Sequence, residues 1–234
     1  MASIAIITAR GGSKRIPRKN IRDFCGKPIL AYSIAAAIES ELFDEIMVST
    51  DDEEIAQVAR YYGAVVPFMR SAKTSDDFAT TSDVLQEVLQ EYEKSGESFE
   101  MMCCLYPTAP FVTSNRLKEA YTIFRENHAE EVLPVVKFSF PPQRGFILQN
   151  GMISFAHPQY IRARSQDIEP LYHDAGQFYL YDVGAYKNAV RLNPETGAYT
   201  LRTFPLLLDE MEVQDIDNLS DWKLAEIKYR LLHS

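Results

Sequence analysis

Residues 3–20 read SIAIITARGGSKRIPRKN, an apolar run that leads directly into a basic loop with two glycines. Residues 4–8 predict a buried β-strand, because a short uninterrupted apolar run bounded by a loop is typical of a parallel sheet. In sheets of that kind, ligands bind beyond the carboxyl ends of the strands. The stretch therefore predicts an α/β fold and places a candidate ligand site directly after its first strand.

The loop between Thr8 and Arg22 is the most basic part of an acidic chain. It contains six basic residues and no acidic one, whereas the whole chain has a net charge of −9. Such a local positive charge suits an anionic ligand, and Gly11 and Gly12 allow backbone N–H groups to approach phosphate oxygens closely. The glycine spacing of a P-loop or of a dinucleotide fingerprint is absent. A solvated basic loop without a ligand is the alternative.

The composition predicts a single domain over residues 1–234, since 46% of the residues are hydrophobic and no low-complexity tract divides the chain. No apolar run reaches the roughly 18 residues of a membrane span, and the signal-peptide pattern is absent. We therefore expect a cytoplasmic protein without a membrane partner. The acidic balance argues against nucleic acid as a partner. Cys25, Cys103 and Cys104 lack zinc-site spacing, so reduced thiols are expected, with the adjacent pair on opposite faces of a strand.

Apolar segments alternate with helical patterns along the chain. Strands are predicted at residues 4–8, 45–50, 64–68, 101–105 and 132–136. Helices are predicted at residues 28–40, from the Asp51-Asp52 cap to about residue 62, at 81–94 and at 114–127, and Ser220 is expected to cap a last helix at 220–232. This order predicts βαβ units, and hence a mainly parallel, twisted sheet with helices on both faces.

The alternation stops after residue 136. Residues 138–172 lack helical periodicity, and Asn150-Gly151 predicts a hairpin turn within them. We interpret this segment as an inserted β-rich arm, followed by another strand at residues 176–183. The arm is rich in Phe, Tyr and Pro, and its Arg144 and Arg164 have no evident role in a compact core. These features predict a dimerisation arm that completes a binding site.

Asp215 and Asp217 precede the last helix and are separated by one apolar residue. In an extended chain both carboxylates lie on the same side. This arrangement suits a hard cation, because Mg²⁺ is usually bound by one or two carboxylates together with phosphate oxygens and water. An equally supported alternative is that the two residues only favour the N-terminal dipole of the helix.

Residues 9–20 (ARGGSKRIPRKN), 49–52 (STDD) and 215–217 (DID) together resemble the cytidylyltransferases that make CMP-activated nine-carbon sugars of the sialic acid type. The resemblance covers essentially the whole chain. Within that family, residues 138–144, 164–167, 172–179 and 211–215 are most similar to members that act on pseudaminic acid. The resemblance implies a nucleotidyltransferase fold of the GT-A-like Rossmann type and a homodimer in which the arm reaches the partner's active site.

The same resemblance implies roles for individual residues. Those expected to bind CTP are Arg10, Gly12, Ser13, Lys19, Asn20, Arg70, Ala79 and Thr81. Asp215 and Asp217 match Mg²⁺ ligands and, with Arg10 and Lys19, form the expected catalytic set. A sugar acid carries a carboxylate that suits a guanidinium partner. The candidates for sugar binding are Tyr106, Arg144, Arg164, His173, Asp174 and Gln177, although a histidine such as His173 is more often structural.

One residue departs from the family pattern. Sialic acid synthetases have Gln before Pro-Thr-Ser-Pro, whereas this chain has Tyr106 before Pro107-Thr108-Ala109-Pro110. The change favours a nonulosonic acid other than sialic acid. The resemblance therefore implies transfer of CMP from CTP to the anomeric hydroxyl of a nine-carbon 2-keto sugar acid, with release of pyrophosphate. The alternatives are a sialic or legionaminic acid enzyme, an enzyme for the eight-carbon acid Kdo, and a nucleotide-sensing module without catalysis.

Overall fold

The first apolar run forms a strand whose side chains are buried from Ser3 to Ile7. The computed structural model describes residues 2–233, except for the side chains of residues 198 and 199, so the two end residues of the predicted 1–234 domain lie outside the description. The strands are β1 (Ser3–Thr8), β2 (Asp23–Phe24), β3 (Lys27–Pro28), β4 (Glu45–Ser49), β5 (Met101–Leu105), β6 (Glu131–Lys137), β7 (Phe146–Gln149), β8 (Met152–Phe155), β9 (Tyr172–Asp174), β10 (Phe178–Asp182) and β11 (Thr203–Leu208).

The main sheet has seven strands in the order β11-β6-β10-β5-β1-β4, with β9 also paired to β6. The pairs β1–β4, β1–β5 and β11–β6 are parallel. β10 is antiparallel to both of its neighbours, and β9 is antiparallel to β6. Five strands therefore point the same way, and their carboxyl ends meet at one edge of the sheet. The mainly parallel sheet is confirmed, with an antiparallel strand inserted between β5 and β6.

Helices cover both faces of this sheet, as predicted. They are α1 (Leu30–Ser40), α2 (Glu53–Tyr61), α3 (Thr81–Lys94), α4 (Ser114–Glu126), α5 (Val183–Leu192) and α6 (Leu219–Leu232). Apolar side chains of α1, α2 and α4 pack with Ile7 and Cys103 on one face. Those of α3 and α5 pack with Ile6 and Cys104 on the other. The adjacent cysteines thus face opposite ways, and Cys25, Cys103 and Cys104 are all free thiols.

Some element boundaries differ from those predicted. Residues 64–68 form no strand and contribute one bridge, between Met47 and Val65, because Pro67 has no N–H to extend a ladder. The last helix begins at Leu219 and is capped by the side chain of Asn218, so the predicted Ser220 cap is wrong. The elements α5 and β11 had no predicted counterpart.

The predicted arm contains a separate two-stranded ribbon, β7–β8, followed by short 3₁₀ turns. Its turn is formed by Asn150 (φ 50°) and Gly151 (φ 77°), which is the left-handed backbone expected of an Asn-Gly hairpin. The chain returns to the sheet through β9, where Tyr172 pairs with Lys137 of β6. The arm therefore leaves and rejoins the main sheet at the same strand.

An aromatic cluster fixes α6 beside the carboxyl edge of the sheet. Trp222 is buried, and its ring centroid lies 5.5 Å from that of Phe24 in an edge-to-face arrangement. Phe24 also contacts Tyr32 of α1 and Tyr229 of α6. Ile216, in the segment before the helix, belongs to the same cluster. The packing of Trp222 therefore also determines where residues 215–217 lie.

We expect Trp222→Ala to lower the free energy of unfolding by about 3–5 kcal/mol, because a large buried ring leaves a cavity. Leu224→Ala, two residues along the same helix and 45% exposed, is the matched control and should change that free energy by less than about 0.5 kcal/mol. Urea unfolding followed by circular dichroism measures both. Equal losses in the two variants would contradict the anchoring role of Trp222.

Candidate active site

A cleft of about 500 Å³ lies at the carboxyl edge of the sheet. Its wall is formed by the basic loop after β1, the segment before α3, the loop after β5 and one residue of the segment before α6. The structure brings together nine of the predicted site residues there: Arg10, Ser13, Lys19, Asn20, Arg70, Ala79, Thr81, Tyr106 and Asp217. Residues from four separate regions of the sequence thus face one space.

The basic loop is held in shape by contacts with its own backbone and with the loop after β4. Asn20 is buried, and its amide donates to the carbonyl of Arg10 at 2.9 Å. The N–H of Gly11 donates to Asp51 at 2.8 Å. A Cβ at Gly11 would lie 2.8 Å from a carboxylate oxygen of Asp52, so the close approach requires glycine. A Cβ at Gly12 would meet nothing within 4 Å, and Gly12 does not line the cleft.

Lys19 and Arg10 are the principal cations of the cleft. The ammonium of Lys19 donates to the carbonyl of Ile216 at 2.8 Å, which ties the basic loop to the segment before α6. Burial lowers the pKa of Lys19, while the charges of Asp217 and Asp215 act in the opposite direction. Arg10 donates to the carbonyl of Asp76 at 2.7 Å and lies 3.2 Å from the carboxylate of Asp77.

Arg70 forms the inner wall of the cleft. It is 7% exposed and donates to the hydroxyl of Ser49 at 2.9 Å and to the carbonyl of Ser49 at 2.6 Å. Burial lowers the pKa of Arg70 to about 10, so the guanidinium remains charged at neutral pH. Ala79, directly before the N-cap of α3, and Thr81, the first residue of α3, also line the cleft. All three residues line the main cleft, and their assignment to CTP stays a prediction.

The two aspartates before α6 flank a buried residue, and Asp217 lines the main cleft while Asp215 lines a second cleft. Ile216 is 1% exposed, while Asp215 is exposed and Asp217 is half-buried, which is the alternation of an extended segment. Asp217 accepts from Arg15 at 2.7 Å. Neither aspartate caps α6, since Asn218 and Asp221 perform that role. Favouring the N-terminal dipole of α6 requires no capping hydrogen bond, so that alternative for the two aspartates stays a prediction.

The donor set fits a hard divalent cation that shares its coordination with a ligand. Asp215 and Asp217 provide carboxylate oxygens, and phosphate oxygens and water are the usual remaining ligands of Mg²⁺. Among residues 2–233, no group of three or more His, Cys, Asp or Glu side chains could hold a metal. The magnesium assignment stays a prediction, with these two carboxylates as its protein ligands.

A second cleft, of about 440 Å³, contains His173, Asp174 and Asp215. The two carboxylate oxygens of Asp174 are occupied, because Gly176 N–H donates to one at 2.7 Å and the Tyr179 hydroxyl donates to the other at 2.6 Å. His173 packs on the ring of Phe138 with 4.7 Å between centroids. Of the six predicted sugar-binding residues, Tyr106 thus lines the main cleft and His173 and Asp174 line the second, and their roles stay predictions.

Gly12, Arg144, Arg164 and Gln177 line neither of these clefts. Arg164 is exposed and pairs with Asp167 at 2.7 Å, while Arg144 donates to the hydroxyl of Ser165 at 3.1 Å. Gln177 is 4% exposed, and its amide donates to the carbonyl of Glu212 at 2.6 Å. Within this chain, the two arginines of the arm therefore do not reach the main cleft.

Sequence reasoning missed the acidic side of the cleft. Asp76 and Asp77 line it opposite the basic loop, and Asp77 pairs with both Arg10 and Lys14. The available signal was a pair of adjacent acidic residues between Arg70 and Ala79, which were both expected to bind CTP. Tyr106 lines the cleft, and the ring of Tyr179 packs against it with 5.6 Å between centroids.

A family model described as Cytidylyltransferase matches residues 4–181. The chain belongs to this family. It is 40% identical over its full length, and over 98% of the relative's, to the pseudaminic acid cytidylyltransferase of Campylobacter jejuni strain 81-176. It is 35% identical to the CMP-N,N'-diacetyllegionaminic acid synthase of Legionella pneumophila, with 97% of this chain and 95% of the relative covered.

Solved cytidylyltransferase structures share the fold. The structure of a CMP:2-keto-3-deoxy-manno-octonic acid synthetase complexed with CTP has a TM-score of 0.69 at 19% identity and covers 100% of this chain and 99% of its own. A cytidylyltransferase from Leptospira borgpetersenii has a TM-score of 0.61 at 17% identity, with coverage of 98% and 87%. The nucleotidyltransferase fold expected from the sequence is confirmed.

We expect the affinity of this cytidylyltransferase for CTP to fall at high pH, beginning below the usual titration range of lysine. The lowered pKa of Lys19 means that its positive charge is lost as pH rises through that lowered value. Lys19→Arg should move the decline to higher pH, because a guanidinium stays protonated to above about pH 12. The measurement is the Michaelis constant for CTP across the alkaline range.

Lys27→Arg is the control for this prediction, because Lys27 lies over the ring of Tyr32 and does not line the main cleft. Its alkaline decline should match that of the wild type. An alkaline decline that Lys19→Arg leaves in place would exclude Lys19 as the titrating group.

Proposed function

We propose that the protein transfers CMP from CTP to the anomeric hydroxyl of pseudaminic acid or a closely related nine-carbon 2-keto sugar acid, with release of pyrophosphate. The observation that carries the proposal is the convergence of Arg10, Lys19 and Asp217 on one cleft in a chain of the cytidylyltransferase family. The whole-length identity of 40% to a pseudaminic acid cytidylyltransferase supports the choice of sugar.

The cleft residues suit this chemistry. In the proposed reaction the sugar hydroxyl attacks the α-phosphorus and pyrophosphate leaves in line, so negative charge increases on the phosphate oxygens. Lys19 and Arg10 stabilise that negative charge as positioned cations. Lys19 is held by the carbonyl of Ile216, and Arg10 is held by the carbonyl of Asp76. The triphosphate replaces the carboxylate of Asp77 as the partner of Arg10. Arg70, Ala79 and Thr81 surround the cytidine.

The proposal includes Mg²⁺ held by Asp215 and Asp217. A divalent cation held there would offset part of the negative charge of the phosphate groups. Arg15 is paired with Asp217 and Lys19 bonds to the carbonyl between the two aspartates, so both basic residues orient the carboxylate pair towards the basic loop. A cytoplasmic location belongs to the same proposal and is supported by the three free thiols.

Tyr106 supports a sugar acid other than sialic acid. It lines the main cleft, and its backbone N–H donates to the carbonyl of Gln177 at 2.9 Å, which fixes its position after β5. Burial raises the pKa of the Tyr106 phenol, so the group is a neutral hydrogen-bond donor at physiological pH. The legionaminic acid enzyme, at 35% identity over 97% of this chain, supports legionaminic acid as the second candidate substrate.

The arm supports a homodimer. Phe146, Leu148, Met152 and Ile153 of the β7–β8 ribbon are between 55% and 72% exposed. A two-stranded ribbon is marginally stable alone, and apolar side chains exposed in this way usually mark an interface. We propose that a second copy of the chain covers the ribbon. Arg144 and Arg164 then serve the sugar site of the partner rather than their own.

The proposed reaction is tested by pyrophosphate release from CTP with pseudaminic, legionaminic, sialic and Kdo acids. We expect pseudaminic acid to give the highest kcat/KM, by about 10-fold or more. Arg10→Ala should lower kcat about 10² to 10³-fold. Arg22→Ala is the matched control, because Arg22 belongs to the same loop but lies over the Trp222 ring, outside the main cleft. Release with none of the acids would refute the proposal.

The proposed role of the arm in the partner's sugar site is tested by Arg164→Ala. This variant should raise the Michaelis constant for the sugar acid by a much larger factor than the Michaelis constant for CTP. Arg162→Ala, two residues earlier and also exposed, is the matched control and should leave both constants unchanged. Deletion of residues 146–157 should give monomers with weak activity in light scattering and turnover assays. A fully active monomer would rule out the shared site and leave the CTP site unaffected.

A further inference from the structure

The segment that carries the two aspartates has little regular structure of its own. Residues 209–217, here called the carboxylate segment, connect β11 to α6 and contain a single short 3₁₀ turn, Glu210–Glu212. Such a segment makes no ladder of backbone hydrogen bonds that would fix its position. Side chains from other elements must therefore determine where Asp215 and Asp217 lie.

Lys19 and Arg15 of the basic loop bind the carboxylate segment at Ile216 and Asp217. Three further long side chains bind its residues 210–213 from three different elements. Arg116 of α4 makes a two-point ion pair with Glu212, at 3.0 Å and 2.7 Å. Lys228 of α6 donates to the carbonyls of Glu210 at 3.0 Å and Val213 at 2.8 Å. Gln177, directly before β10, donates from its amide to the carbonyl of Glu212 at 2.6 Å.

Gln177 differs from the other two because it also binds the wall of the main cleft. Its backbone carbonyl accepts the N–H of Tyr106 at 2.9 Å, while its side chain holds Glu212. The residue is 4% exposed, so water cannot readily replace either contact. A single buried residue thus connects the loop after β5 with the carboxylate segment.

We propose that Gln177 is a positioning residue that, together with Arg116, sets the place of the Asp215 and Asp217 carboxylates relative to the phosphate-binding loop. Gln177 acts through its hydrogen bond to Glu212. This role replaces the sugar-binding role that the sequence predicted for Gln177. This inference rests on the proposed function, because it assigns the two aspartates to a divalent cation. Groups that orient metal ligands commonly change metal affinity about 10 to 100-fold when removed.

The test is a titration of Mn²⁺ into the protein and CTP without any sugar acid, followed by electron paramagnetic resonance of the free ion. No turnover occurs, so the readout is binding alone. Gln177→Met keeps the shape of the side chain and removes its donor, and we expect the half-saturating Mn²⁺ concentration to rise about 10-fold. Arg116→Met should also raise the half-saturating Mn²⁺ concentration. Asp217→Asn loses a proposed metal ligand and shows how large the rise is when the site itself is damaged.

Gln86→Met is the matched control, because the Gln86 amide also donates to a main-chain carbonyl, that of Ser82, on a helix remote from the carboxylate segment. Its Mn²⁺ titration should match that of the wild type. If Gln177→Met fails to fold in urea titrations, Gln177→Asn, whose shorter amide cannot span the same contact, replaces it.

Wild-type Mn²⁺ affinity in folded Gln177 and Arg116 variants would overturn the inference, as would an equal loss in Gln86→Met. Failure of the proposed function has a different signature, since the wild type would then release no pyrophosphate with any sugar acid.

Discussion

The parallel pairing of β1 with both β4 and β5 determines the geometry of the site. Residues 4–7 are fully buried, so this strand cannot shift its register without moving apolar side chains out of two packed layers. Its pairing aligns Thr8 with Ser49 and Ile7 with Leu105. The basic loop, the Asp51-Asp52 turn and Tyr106 therefore begin at the same level of the sheet. The hydrogen bond between Gly11 and Asp51, which joins the loops after β1 and β4, depends on that alignment.

The positive charge of the basic loop is partly offset by acidic side chains of the protein itself. Arg10 and Lys14 face Asp77, Arg15 faces Asp217, and Arg18 faces Asp52 and Glu54. These pairs are partly exposed, so each contributes little to stability, typically below about 1 kcal/mol. A triphosphate carries more charge than a carboxylate and can displace the weakest of them. The positive loop is thus kept ordered without a strong competing interaction.

Candidate site residues could be recognised from the sequence where several charged or polar residues lie close together along the chain. The loop at residues 9–20 and the pair Asp215 and Asp217 are of this kind, and the Asn150-Gly151 turn was recognisable because few residues adopt a left-handed backbone. The antiparallel direction of β10 was not predictable, because an apolar run carries no information about strand direction.

The role of Gln177 could not be read from the sequence for a similar reason. Its partner Glu212 lies 35 residues further along the chain, and only the folded sheet brings them together. The cleft residues Asp76 and Asp77 were missed because acidic side chains were not expected to face a phosphate-binding loop. A motif can be recognised from neighbouring residues in the sequence. A contact between distant segments can be recognised only once the packing of the fold is known.

Both ends of the arm join the main sheet at paired strands, and this connection affects how the protein can change during evolution. Lys137 and Tyr172 are paired neighbours, so residues 138–171 form an excursion whose two ends meet on one strand. Lengthening such an excursion costs little, since doubling a flexible loop adds only about 0.6 kcal/mol of closure entropy. Insertions and deletions in the arm can therefore accumulate while the strand order stays unchanged. The length and sequence of the arm are thus free to diverge without a change in the seven-stranded sheet.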